Sequence, residues 1–290
     1  LSKRDPSKTL WISKKFFAEL KKRMNLLKQE VEKKILNYYP HITVNVYDFP
    51  VDPSYLESFS RWLDQNIDAI IFQAQLGTQA RYQRWTDMYV TSAYKQGVTD
   101  AYIRGKFGRL TGLTPDQWLA ASFSAPIHAS RVALCYIRTY ESLKNVSQVM
   151  ANGIRTELAQ GMIEGVNPKV VAKRMAEKID GIGIRRAELI ARTEIMRAHS
   201  EASLDTYESF EQEGITLLVE YLYANDDRVC DKCVEFGTDE NGNPKRFKVS
   251  ESHGILPLHP NCRCVWIPWI PELDELSRKD RESKIEEISE

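Results

Sequence analysis

The 290 residues contain 40 Lys/Arg and 40 Asp/Glu, giving a formal net charge of zero, so no global field draws this chain to a polyanion. Hydrophobic residues make up 42%, enough for a buried core and one to three domains. No run of 18 apolar residues occurs, and the first thirty lack the apolar stretch of a signal peptide, so no membrane-spanning helix is expected and these residues do not read as a secretion leader. The sequence starts at Leu1 without a methionine and reads as a processed, trimmed or partial product of a soluble intracellular protein. Charge is uneven: residues 1–34 carry eleven bases against four acids, and Glu272–Glu290 carries eight acids against four bases.

From about Leu10 to Tyr38, Phe16, Leu20, Met24, Leu27, Val31 and Ile35 recur at the spacing of one helical face. The opposite face is lysine-rich, with Lys14, Lys21 and Lys22 the candidates for docking on nucleic acid or an acidic partner; an ordinary solvated face fits equally well. Residues 42–47 alternate as a short strand. A helix with Leu56, Phe59, Leu63, Ile67, Ile70 and Ala74 on one face follows. After a break at 73–79, a further helix carries Tyr82, Trp85, Tyr89 and Ala93, aromatics best read as core. Gly105, Gly108 and Gly112 mark a loop. Thr114 is a helix N-cap with Pro115 in the first turn.

One long helix is expected over 126–164, with Ile127, Leu134, Ile137, Val146, Met150 and Ile154 partly buried and Cys135 a small apolar residue within it. Asn167-Pro168 starts another, running to Ile179. The segment Ile179-Asp180-Gly181-Ile182-Gly183-Ile184-Arg185-Arg186 has the parts of a helix-hairpin-helix, with Arg185 and Arg186 placed for phosphate contacts; glycine is also the ordinary way to end a helix.

The helix from Ile184 to about Glu213 carries Ala187, Ala191, Ala198 and Ala202 on one face, where small side chains admit close approach of another backbone. Arg192-Thr193-Glu194 on it reads as part of a buried ion-pair network, or more sharply as a catalytic glutamate with Arg192 and His199 nearby. A strand over 216–223 leads into Cys230-Asp231-Lys232-Cys233. Residues 239–244 form a hairpin tip, and Phe247 and Val249 resume a strand.

Four of the five cysteines fall between Cys230 and Cys264. Cys-x-x-Cys followed by His259-Pro260-Asn261-Cys262-Arg263-Cys264 supplies five candidate ligands (Cys230, Cys233, His259, Cys262 and Cys264) for the four places of a structural zinc. Two disulfides are the alternative, less suited to an otherwise thiol-poor chain.

The combination Ile190-Ala191-Arg192-Thr193-Glu194, Asp227-Arg228-Val229-Cys230-Asp231-Lys232-Cys233 and Pro257-Leu258-His259-Pro260-Asn261-Cys262-Arg263-Cys264 resembles the phage Mu F-type head morphogenesis proteins, also called minor head or minor capsid proteins of tailed phages. The resemblance covers roughly 150–268. It implies a protein present in few copies inside the head near the portal vertex, engaged in procapsid assembly and in DNA packaging or ejection. The implied partners are the portal protein, the major capsid or scaffolding protein, and double-stranded DNA.

The expected fold is mainly α with a small C-terminal α+β module: a helical N-terminal half, and a zinc-knuckle β-hairpin module packed on a central helix. The expected divisions are a basic arm at 1–53, a helical domain at 54–165, a Mu F-like domain at 166–269 with its zinc module at 223–269, and an acidic tail at 270–290. The leading function is structural and non-enzymatic. Its rivals are a metal-dependent nuclease, which needs a second cluster of His and carboxylates for which only His199, His253 and Glu194 offer themselves, and a DNA-binding protein without catalysis.

Overall fold

A computed structural model describes residues 5–38, 52–73, 84–123, 125–224, 226 and 228–271. The expected strand at 42–47, the break at 74–79, Ala74, Tyr82 and the acidic tail from 272 lie outside them. The elements in order are α1 (Leu10–Tyr38), α2 (Pro53–Phe72), α3 (Trp85–Arg104), α4 (Gly108–Thr111), α5 (Pro115–Ser122), α6 (Pro126–Glu164), α7 (Pro168–Lys178), a π-helical segment (Ile179–Ile184), α8 (Arg185–Gln212), β1 (Leu218–Leu222), α9 (Asp231–Gly237), β2 (Arg246–Phe247), α10 (Val249–Ser252) and β3 (Val265–Trp269). The three strands form one antiparallel sheet in the order β2-β1-β3.

The chain divides into two compact units, and the division is not sequential. One comprises 1–12, 90–135 and 193–290, and the other 13–89 and 136–192. Four helices (α1, α3, α6 and α8) therefore contribute to both.

The second unit is all helix. Its core is built by the expected stripe of α1, Phe16 through Ile35, all of it buried, with Phe59, Leu63 and Ile67 of α2, Met150, Ile154 and Leu158 of α6, and Val171 and Met175 of α7. In α2 the buried face is turned slightly from the expected one: Tyr55 and Ile71 are buried, while Leu56 and Ile70 are only partly so. Asp52 caps α2 by accepting from the amides of Ser54 and Tyr55 at 3.0 and 3.1 Å. At the other end, Arg23 donates to the carbonyls of Ile70 and Gln73 at 3.2 and 2.7 Å, satisfying orphaned acceptors of the last turn.

The helix-hairpin-helix expectation is corrected here. Pro168 to Gln212 contains no turn, because Ile179–Ile184 winds as a π-helix that passes directly into α8. Gly183 sits where an added Cβ would come within 2.6 Å of the Met150 sulfur and 3.1 Å of the Met24 sulfur. The glycine is needed for packing, not for a turn. The burial expected of Leu134 and Ile137 in α6 also fails, since they are 57% and 56% exposed.

The first unit carries the sheet. Leu204, Tyr207 and Phe210 of α8 share a core with Leu217, Val219, Tyr221, Val249, Leu256 and Trp266, so the sheet packs on the C-terminal half of this central helix as expected. Phe210 stacks on Phe107 with ring centroids 3.6 Å apart and on Trp118 at 4.8 Å. Thr114 and Gln117 complete a capping box at the start of α5. Ala198 and Ala202 of α8 are fully buried, and Gly97 of α3 packs so closely there that a Cβ would lie 2.3 Å from the carbonyl oxygen of His199. The expected strand at Phe247 and Val249 is shorter: Val249 instead opens α10. Thr238 and Pro244 are bridged across the expected turn, whose Asp239 accepts from the amides of Asn241 and Asn243 at 2.9 and 2.8 Å.

Candidate metal centre

Two short pieces of backbone bring the donors together. Cys230 lies just before α9 in extended conformation and Cys233 lies within its first turn, a spacing that turns both sulfurs to one side. The second piece is the turn from His259 to Cys264, closed by the amide of Cys262 donating to the carbonyl of His259 at 3.0 Å. Asn261 in this turn has φ 66°, a left-handed conformation that asparagine tolerates better than most residues. The knuckle is thus a helix start facing a turn, not the two arms of a β-hairpin.

Nε2 of His259 lies 3.2 Å from Sγ of Cys230 and 3.1 Å from Sγ of Cys233. Its Nδ1 is 2.8 Å from the carbonyl oxygen of Pro260, an acceptor that holds the proton on Nδ1 and leaves the Nε2 lone pair for the sulfurs' side. Cys233, Cys262 and Cys264 form a second group, all buried, and the donor atoms of each group lie within 4.8 Å of one another. Cys233 belongs to both groups. All five cysteines are free, so the disulfide alternative is not formed. Cys135 stands apart, buried in α6, its thiol pushed up to about 12 by burial first and then by the charges of Glu201, Asp205 and Glu194.

Tyr221, next to the last residue of β1, completes the surroundings. Its hydroxyl donates to Sγ of Cys233 at 3.2 Å, and its ring contacts Phe236 and Trp266 edge-on. Gly237 faces that ring so closely that a Cβ would lie 2.6 Å from it. Arg263, between two of the cysteines, makes two hydrogen bonds to the carboxylate of Asp226 at 2.6 and 2.7 Å and so ties the turn to the segment after β1.

Burial pushes the Cys233 thiol up to about 11. Hydrogen bonding from Cys264, and main-chain hydrogen bonds from Cys264 and Leu258, outweigh burial at Cys262 and bring it down to about 5. Cys264 is pushed up by its role as that donor and by burial. One sulfur is stabilised as a thiolate and its crowded neighbours resist following it, an arrangement that a cation among them would relieve. The donor set also fits zinc by size: bonds of about 2.3 Å to sulfur and 2.0–2.1 Å to nitrogen place tetrahedral S and N ligands about 3.5 Å apart. The observed 3.1 and 3.2 Å need only a small outward movement of the His259 ring.

The other expected site residues are not brought into one site. Arg192 bonds one turn back to Glu188 at 2.9 Å, and Glu194, 7% exposed, pairs one turn forward with Arg197 at 3.4 Å. His199 faces Asp100 at 3.2 Å, not Glu194. Arg185 and Arg186 are exposed in the first turn of α8, where the π-helix denies them a free helix N-terminus. Lys14, Lys21 and Lys22 are exposed on α1, as expected of its polar face. Tyr221 and the Asp226–Arg263 tie have no local signal in the sequence, because each depends on partners far along the chain.

These features define a mainly helical protein closed at its C-terminal end by a small sheet and a sulfur-rich cluster able to hold a metal ion. Residues 152–267 match the family model described as Phage Mu protein F like protein. The match runs from within α6 through α8 to β3 and includes all five donors. It supports a phage Mu F-type head morphogenesis protein. No curated protein and no solved structure was found to match the chain. No helix of the described residues is long and apolar enough to cross a membrane.

Proposed function

We propose that this chain is a minor head protein of a tailed phage, resident inside the capsid near the portal vertex and acting in procapsid assembly and in DNA packaging or ejection by binding, not by catalysis. The observation that carries this reading is the family match, because it spans the central helix and the whole donor cluster as one unit. In this reading zinc folds the C-terminal part: Cys233 holds it with three of Cys230, His259, Cys262 and Cys264. The chemistry that zinc supplies is ligation of a segment too small to be stable alone. A thiolate-rich, largely buried donor set favours such a closed role over a catalytic one, which keeps a coordination position open.

The portal protein is the first partner in this reading, with the major capsid or scaffolding protein and double-stranded DNA as further ones; the exposed Lys14, Lys21 and Lys22 supply charge suited to DNA. Quantitative mass spectrometry of purified heads, counting this chain against the portal protein, tests the reading. A few copies per portal before and after DNA packaging are expected. Absence from heads would sink it.

A further inference from the structure

Apart from the sulfur cluster, Glu201, Asp205 and Glu208 share one face of α8, four and then three residues apart. Asp205 is fully buried and Glu201 is 7% exposed. His253, just after α10, is set against them. Its Nδ1 lies 2.7 Å from Oε2 of Glu201, whose other oxygen accepts from the amide of Gly254 at 2.8 Å. Glu201 accepts the Nδ1 proton, the arrangement in which a carboxylate orients a histidine so that Nε2, once it gives up its proton, can face a metal.

That Nε2 is buried and has no hydrogen-bond partner among the described residues. It lies 3.5 Å from Oε2 of Glu208, and an oxygen of Asp205 joins them, with all three donor atoms within 4.8 Å of one another. Lone pairs converging in a buried place repel unless a cation lies between them. Asp205 also accepts from Nε of Arg131 at 3.0 Å and from the hydroxyl of Tyr94, which in turn lies 3.0 Å from Nδ1 of His128. Each Asp205 oxygen keeps a second lone pair. Three carboxylates against one guanidinium leave two negative charges; a protonated His253, which its neighbouring carboxylates favour, offsets one of them, and a divalent ion bound to the neutral imidazole would offset both.

We propose that Asp205, Glu208 and Nε2 of His253 bind a divalent transition-metal ion, with Glu201 as the positioning residue for the imidazole. One imidazole and two carboxylates suit Mn²⁺ or Zn²⁺ better than Ca²⁺ or Mg²⁺. The ion would tie the loop after α10 to the central helix, a role separate from that of the sulfur cluster.

Mn²⁺ alone is the probe, since thiolates favour softer ions and the full chain loaded with a single equivalent of zinc, held by the sulfur cluster, leaves the carboxylate set to report. Titration followed by the electron paramagnetic resonance of free Mn²⁺ should show one equivalent bound. Both H253Q and E208Q should weaken binding at least about tenfold, and E201Q by about 10- to 100-fold, with zinc at the sulfur cluster unchanged. Glu208 is only half-buried, so E208Q should fold even if H253Q does not. No Mn²⁺ bound at millimolar concentration, or binding indifferent to E208Q, would overturn the proposal. So would an imidazole that keeps its Nε2 proton when Mn²⁺ is added, for a proton would then serve where a metal is proposed.

Discussion

The hydroxyl of Tyr221 donates a hydrogen bond to Sγ of Cys233, the one sulfur common to both donor groups, at 3.2 Å, and lies 3.8 Å from Sγ of Cys262. A donor aimed at a thiolate lowers the cost of its charge and fixes the direction of its remaining lone pairs. Y221F keeps the ring that packs on Trp266 and removes only the hydroxyl's contacts with these two sulfurs. Competition with a chromophoric chelator should show zinc still bound but about 10- to 100-fold more weakly. Unchanged affinity would mean that the hydroxyl serves packing alone.

Arg263 grips Asp226 through both guanidinium NH₂ groups. Lysine can keep the charge but not the two-pronged geometry. R263K should therefore speed zinc loss to excess chelator without changing zinc stoichiometry, and D226N should do the same. Equal release rates in wild type and both variants would show that the tie does not hold the turn.

The approach of α3 to α8 depends on Gly97, whose missing side chain leaves room for the carbonyl of His199. G97A inserts a methyl where a contact of 2.3 Å would result, and overpacking of this kind costs about 1–3 kcal/mol. Urea denaturation should show that loss, whereas G181A, with nothing near its added methyl, should lack the overpacking loss. A G97A protein as stable as wild type would contradict the close approach.

Asp100, 2% exposed, accepts from His199 and Gln96 at 3.2 and 3.1 Å and pairs with Lys8 and Arg104. Burial alone would push its carboxyl up; the hydrogen bond and charge of His199, with Lys8 and Arg104, outweigh it and hold the carboxyl below its usual value. A carboxylate lowered on folding stabilises the protein above its unfolded pKa of about 3.9 and loses that contribution as pH falls through the lowered value. D100N should cost about 1–3 kcal/mol near neutrality, because it weakens the buried hydrogen bond with His199 and removes the charge facing the largely buried Arg104. It should also flatten the acid limb of a stability–pH curve. A D100N curve parallel to wild type would rule out this source of acid sensitivity.

Helices whose burial follows a simple stripe were legible residue by residue. The spans 10–38 and 126–164 match α1 and α6, and the six apolar residues named for α1 are all buried. The π-helix was not legible, because a Gly-Ile-Gly run reads as a turn until the sulfurs of Met24 and Met150 are seen to occupy the place of a Cβ at Gly183. The five sulfur-cluster donors could be named from spacing alone. His253 could be named but not paired, since its carboxylates lie about fifty residues earlier, on a helix whose Glu194 and His199 looked equally eligible. Local spacing reveals donors on one turn or knuckle; which distant side chain they meet is decided by tertiary packing.

The central claim is that one zinc ion folds the C-terminal part of the region that matches the Mu F-like family model. The most direct test is metal analysis of the purified full chain, combined with the same analysis of C233S and E208Q. Zinc at one ion per chain in the sulfur cluster, lost in C233S and kept in E208Q, with loss of protease resistance across 223–269 on its removal, is the predicted result. A chain free of bound metal that melts as sharply as the zinc-loaded protein, or a C233S variant that keeps its zinc, would contradict it.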